Sequence, residues 1–276
     1  MTSLAPSAPL SVADFTFAFN CLGEGTLGER IDAAKAAGFT EIGLSCRWTK
    51  LWLADHDIDE LVDTLAAADM AVGELEAIRV MREEPDPLED VAALLAERLR
   101  PSRLQCIGPY DGTIDDAVVR IRRVADRFAE WNVDLVLEPL PFTNVQTPAD
   151  AADIIIRTER ANVGMCMDVW HLYRMGLPLS HLDGLWPVIT TVQINDGTIL
   201  AEDPDLYADC LANRRLLGDG EFDLVGLLRA RAENRPDSSL SLEIINPVLR
   251  SQDAATSARQ IADSVTRVVA ASLVRE

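Results

Sequence analysis

Residues 133–171, VDLVLEPLPFTNVQTPADAADIIIRTERANVGMCMDVWH, contain the pattern that decides the fold. The short apolar run VDLVLEP carries Glu138 at its end and is stopped by Pro139 and Pro141, which lack the N–H a longer strand would need. TPADAADIIIRTER then repeats its apolar residues at helical spacing. A second short apolar run, VGMCMD, ends on Asp168. Two buried-strand patterns joined by a helix make a parallel βαβ unit with a right-handed crossover.

The same texture recurs on either side of this unit. FTFAFNC, EIGLSC, AVGELEAI and RLQCIG precede this unit as strands, and ITTVQIN and SLSLEII follow it. Helical spacing is found in TLGERIDAAKAAGF, DIDELVDTLAAADM, PLEDVAALLAERL, TIDDAVVRIRRVADRFAEW and DAATSARQIADSVTRVVAASL. Eight strands in strict alternation with eight helices give an α/β fold, a single-domain (β/α)8 TIM barrel over residues 11–276. Residues 1–10, rich in Ser, Ala and Pro, are expected to be a flexible tail. An open doubly wound sheet is the competing architecture, but no GxGxxG follows the first strand.

Composition narrows the function. A net charge of −20 and a pI near 4.5 oppose nucleic acid and anionic membranes as partners. The only lysines are Lys35 and Lys50, which weakens a Schiff-base mechanism. Five cysteines without CxxC spacing read as small core residues. MTSLAPSAPLS has no basic-then-apolar pattern, and no apolar run is long enough to span a bilayer, so a cytoplasmic location with reduced thiols is expected.

Glu138, Asp168, Gln193 and Glu243 end the last four strand patterns. In a parallel barrel these ends converge on the face where active sites are built. Three carboxylates and an amide oxygen there would be unstable together without a cation. Oxygen donors of this kind suit one divalent ion, Mn2+ or Mg2+ first, with Co2+ or Zn2+ as further candidates. Three histidines are too few for a multi-histidine centre. Among them His171, three residues after Asp168, should overlook the same cavity and contact substrate or a proton. Glu76 at the end of the third strand and Asp196 beyond Gln193 are further candidates for the pocket. Trp48, Trp52 and Trp170 near strand ends could stack on a sugar or pack the rim.

In EPLPF, MDVWH, QIND and RRLLGDGEFDL the chain resembles the xylose isomerase-like barrels, the sugar phosphate isomerase/epimerase and AP endonuclease 2-type superfamily. The resemblance implies that Glu138, Asp168, Gln193 and Glu243 bind the ion, and that Glu138 and Glu243 act as base and acid. It also implies that His171 contacts substrate oxygens and that Arg214 or Arg215, before Gly218-Asp219-Gly220, binds substrate. The activity implied is a metal-dependent isomerase or epimerase acting on a keto-sugar or polyol through a metal-stabilised enediolate. Most epimerases of the family carry His where this chain has Gln193. A Gln there resembles the dehydratase branch, so a dehydratase/lyase of the 3-dehydroshikimate or inosose type is the alternative. A catalytically inactive small-molecule-binding barrel is the non-enzyme alternative. Endonuclease IV-type repair is disfavoured by the acidity and the scarcity of histidine. The expected partner is thus a keto-sugar, polyol or cyclic keto-acid, in a chain whose outer helices could support a homo-oligomer.

Overall fold

The structure, a computed structural model, describes residues 10–80, 85–108 and 112–274. Eight parallel strands close into one barrel in sequence order: β1 (Phe15–Ala18), β2 (Glu41–Ser45), β3 (Ala71–Arg79), β4 (Arg103–Ile107), β5 (Asp134–Glu138), β6 (Val163–Asp168), β7 (Ile189–Ile194) and β8 (Ser239–Leu242). The (β/α)8 barrel expected from the alternation is therefore the fold. Of the expected tail, residues 1–9 lie outside the described residues, and Leu10 packs against the core.

The outer layer contains α1 (Leu27–Ala36), α3 (Ile58–Ala67), α4 (Glu89–Leu99), α5 (Ile114–Phe128), α6 (Pro148–Thr158), α9 (Leu224–Asn234) and α11 (Ala254–Leu273). Local chemistry starts several of them. Thr26, Thr113 and Thr147 cap α1, α5 and α6 and pair with an acid three residues on, so two orphan amide groups are satisfied reciprocally at each end.

The expectation of eight helices in strict alternation needs correcting. Four short helices stand on the C-terminal side of the strands: α2 (Cys46–Trp52), α7 (Val169–Arg174), α8 (Leu206–Ala212) and α10 (Pro247–Arg250). Each is too short for an apolar period to show in sequence. Between β6 and β7 no long helix forms among the described residues. Gly176 and Gly184 take positive φ there, and Pro178 and Pro187 remove donors, leaving α7 and two 3-10 turns.

The barrel interior is polar, unlike the branched aliphatic filling common in this fold. Arg103 on β4 donates to Thr16 on β1 (2.9 Å) and Ser239 on β8 (2.7 Å), and it pairs with Glu74 on β3 (3.6 Å). Ser241 on β8 donates to Glu74. Because several of these bonds join strands that are not neighbours, they must cross the lumen. The alternation behind them was visible in RLQCI and SLSLE, where every second residue is polar and successive side chains face opposite sides. The apolar partners, such as Leu104, Leu240 and Leu242, face the helices and are buried.

All five cysteines are free and buried. Burial pushes the Cys46 thiol up to about 12 and raises Cys21, Cys106 and Cys166 as well. A thiolate is the reactive form. A thiol reagent at pH 8 is therefore expected to label essentially none of the five in the folded chain and all five after denaturation. Rapid native labelling would contradict the packing. Among the described residues, no helix is long and apolar enough to cross a membrane.

Candidate functional site at the C-terminal mouth of the barrel

Glu138 is the last residue of β5 and Asp168 the last of β6, so the parallel register brings both carboxylates to one rim. Asp168 also caps α7: its Oδ1 accepts from the Trp170 amide (2.8 Å) and from Asn195 Nδ2 (2.8 Å). That short helix turns His171 back over the rim. His171 Nε2 lies 3.4 Å from Glu138 Oε1 and 3.7 Å from Asp168 Oδ2. The candidate ligand atoms of Glu138, Asp168 and His171 all fall within 4.8 Å of one another, and all three side chains are buried.

Gln193 pairs in register with Asp168 and is fully buried. Its Oε1 accepts from Gln105 Nε2 at 3.4 Å, while its own Nε2 has no partner. Gln105 gives a better bond, 2.7 Å, to Glu138 Oε2. The Gln193 amide is thus only loosely held, with one long bond to its oxygen and none to its nitrogen.

Glu243 follows β8 and reaches the group through Arg214. The Arg214 guanidinium lies 2.7 Å from Glu243 Oε2 and 2.8 Å from Asp168 Oδ2, and its Nη2 contacts Cys210 Sγ at 3.2 Å. Arg215, one residue on, is partly exposed and pairs with Glu202 at 2.9 Å. The structure thus brings Arg214 to the mouth and leaves Arg215 outside it. Asp196 was expected to contact substrate, but its Oδ1 accepts from the amides of Gly197 (2.8 Å) and Phe222 (3.1 Å), and its Oδ2 from that of Gly218 (2.9 Å). It pins the turn that carries Arg214. Glu76 is buried beside the mouth, accepting from Asn20 Nδ2 at 3.5 Å.

Of the tryptophans, Trp170 is fully buried, with the Arg174 guanidinium 3.8 Å from its ring, and is a packing residue. Trp48 and Trp52 stack on each other at 6.0 Å, and Trp52 stacks on His56 at 4.2 Å. Sequence reasoning missed Gln105, Asn195 and Phe142, whose ring meets that of His171 edge-on at 5.7 Å. Asn195 was in plain view within QIND. Gln105 was signalled by its alternation with Arg103. Phe142 carried no signal beyond its place in EPLPF.

Electrostatically the mouth holds an excess of acid. Burial pushes the Glu138 carboxyl well above its ordinary range, and the charges of Glu243 and Asp168 push it further. Glu76 is raised well above its ordinary range by burial and then by Glu74, and Glu243 is raised chiefly by burial. Against these stands Arg214, whose pKa burial lowers but which Asp168, Cys210 and Glu243 together raise above its ordinary value. Orphaned buried acceptors remain at Glu138 Oε1 and Glu76 Oε1, and His171 Nδ1 has no partner. Clustered oxygen donors with unsatisfied lone pairs and disfavoured charge fit a hard divalent cation, which would reverse the sign of the local potential.

Comparison with known proteins gives a consistent picture. Residues 31–266 match the xylose isomerase-like TIM barrel family. A 3-dehydroshikimate dehydratase of Pseudomonas aeruginosa is 30% identical over 132 residues, covering 47% of this chain and 20% of that protein. A xylose isomerase-like TIM barrel/4-hydroxyphenylpyruvate dioxygenase fusion protein superposes with a TM-score of 0.79 at 19% identity, over 94% of this chain and 43% of the other. The IOLI protein with a bound zinc atom gives a TM-score of 0.77 at 18% identity, over 95% and 100%. The chain spans a fifth of the first relative and under half of the fusion protein. With the closed barrel and the family match over most of its length, the chain belongs to the xylose isomerase-like TIM barrel family.

Proposed function

We propose that the protein is a divalent-metal-dependent enzyme that removes the proton beside a substrate carbonyl and returns it to carbon, isomerising or epimerising a keto-sugar or polyol. The observation that carries this reading is the buried convergence of Glu138, Asp168 and His171, with Gln193 in register beside Asp168. Glu138, Asp168, Gln193 and Glu243 would hold the ion, with Mn2+ or Mg2+ favoured by the oxygen donors and Co2+ or Zn2+ as further occupants. When bound, it supplies Lewis acidity next to the carbonyl.

The chain's own residues handle the proton. Glu138 and Glu243 approach from β5 and β8, and a positioned carboxylate can take a proton that its acid form then returns. His171 Nε2, near Glu138 Oε1, and Arg214 offer donors to substrate oxygens where negative charge develops. The polar barrel floor and the Phe142 ring, edge-on to His171, bound the space.

A dehydratase is the second reading. Gln193 favours it, as does the local similarity to a 3-dehydroshikimate dehydratase. A β-hydroxyl leaving after the same proton abstraction would give an alkene. Incubation of metal-loaded protein in heavy water with keto-polyols and 3-dehydroshikimate separates the two. Deuterium gained on an unchanged carbon skeleton is expected for the first, and new alkene absorbance marks the second. Failure to take up any divalent ion, with neither change seen, would leave a small-molecule-binding barrel.

His171→Ala is expected to keep the ion yet lower kcat about 100-fold, the scale for one positioned acid–base group. Calorimetric metal titration beside steady-state kinetics checks both halves. An unchanged rate would assign His171 to packing against Phe142, and a lost ion would make it a ligand.

A further inference from the structure

Beside the acidic mouth lies a cavity of about 500 Å³, formed between the loop after β1 and the segment after β8. Its walls include Asn20, Glu24, Arg30, Trp48, Arg250 and Ser251. Two features set it apart. It carries two arginines on one void, and among the described residues neither forms an ion pair with a carboxylate, although acids outnumber bases 45 to 25 in this chain.

Arg30 is anchored rather than neutralised. Its Nη2 donates to the carbonyls of Phe19 and Leu22, its guanidinium lies 4.0 Å from the Phe19 ring centroid, and its buried Nε has no partner. Burial and the neighbouring charge of Arg250 lower its pKa to about 10. Arg250 stands exposed at the end of α10. Like charges held at one void, with a donor left unsatisfied, are stabilised by an anion placed between them. Glu24 lines the same cavity with an exposed side chain.

The cavity shares its wall with the site. Asn20, in its wall, donates to Glu76 at the mouth. Cys21, next in the chain, accepts from the amide of Ile244, the residue after Glu243. Trp48, held between Phe19 and Trp52, lines the same cavity. We infer that Arg30 and Arg250 bind the oxyanion of the substrate, a carboxylate or a phosphate, so that the reacting molecule is an acidic polyol derivative rather than a neutral sugar. This rests on the proposed enzyme function for the reacting end, but the anion subsite itself is read by binding alone.

Calorimetry on the intact protein tests it with matched pairs: quinate against myo-inositol for a carboxylate, and fructose 6-phosphate against fructose for a phosphate. At least one acidic member is expected to bind about 10-fold or more tightly than its neutral partner, the scale of a charge-assisted bond. Which pair shows the preference identifies the anion. Arg250→Gln, at an exposed position whose side chain makes no hydrogen bond or ion pair among the described residues, is expected to remove the preference without changing uptake of Mn2+. Arg30→Gln should do the same, with thermal unfolding to check that its loop survives. No acidic preference in either pair, or a preference that persists in folded Arg250→Gln, overturns the inference. Failure of the enzymatic reading would instead appear as lost Mn2+ uptake or absent deuterium exchange, with the anion preference intact.

Discussion

Glu243→Gln is expected to lower kcat about 10³-fold and to weaken divalent-ion binding together, because one carboxylate serves both purposes in the proposed mechanism. Removing a positioned acid–base group alone costs about 10²–10⁴-fold. The amide keeps the shape and can still accept from Arg214, whose Nη1 is also bonded to the Glu243 main-chain carbonyl at 2.7 Å. The fold should therefore survive, and the loss should fall on kcat rather than on thermal stability. The variant also removes one of the charges that raise Glu138, so the acidic limb of the rate profile should move to lower pH in whatever activity remains. The sign follows from the linkage: a carboxyl with less repulsion around it ionises at lower pH. Full activity with wild-type metal affinity would take Glu243 out of the mechanism.

Arg103→Ala is expected to cost about 3–5 kcal/mol of stability, the range for breaking one side of a buried ion pair. Arg103 and Glu74 are each about 5% exposed or less. Without the guanidinium, the buried Glu74 carboxylate at the barrel floor would lose its cationic partner and be left beside the Ser241 hydroxyl and the acid of Glu76. Urea unfolding should show a lower midpoint with little change in slope. Replacing both partners, Glu74→Leu with Arg103→Met, is expected to recover much of the loss, since a well-packed apolar pair of similar volume removes the uncompensated charge. A single variant within about 1 kcal/mol of wild type would mean that water enters the lumen and solvates Glu74. These residues lie below Glu138 and Asp168, so stability and activity should separate: the floor variant unfolds earlier, and the mouth variant turns over more slowly.

The strands were readable because their signal is local. Val, Leu, Ile, Met and Cys recur in short runs bounded by Pro, Gly or acid, and each run became a strand within a few residues of its expected ends. FTFAFNC ran too far: β1 stops at Ala18, and a 3-10 turn takes Phe19–Cys21. Glu243 lies one residue past β8 for the same reason: an apolar run does not mark where strand pairing ends. Short helices after β2, β6, β7 and β8 were not readable, since one or two turns give no period and depend on what they pack against.

The barrel, the placement of Glu138, Asp168, Gln193 and Glu243 at the ends of successive strand patterns, and the net charge of −20 were legible in the sequence alone. These follow from periods of two and 3.6, and from charges that need no neighbours to be counted. Only the tertiary structure decided which arginine enters the mouth. Asp196 and Arg215 pair through their backbones as an isolated antiparallel bridge, and successive side chains on an extended segment point to opposite sides. Arg214 therefore turns inward between Asp168 and Glu243, while Arg215 turns outward to Glu202. The same holds for Asp196, whose carboxylate pins a turn, and for the meeting of Arg30 with Arg250. Contacts between residues far apart in the chain are set by how the loops close over the barrel, and no local pattern encodes that.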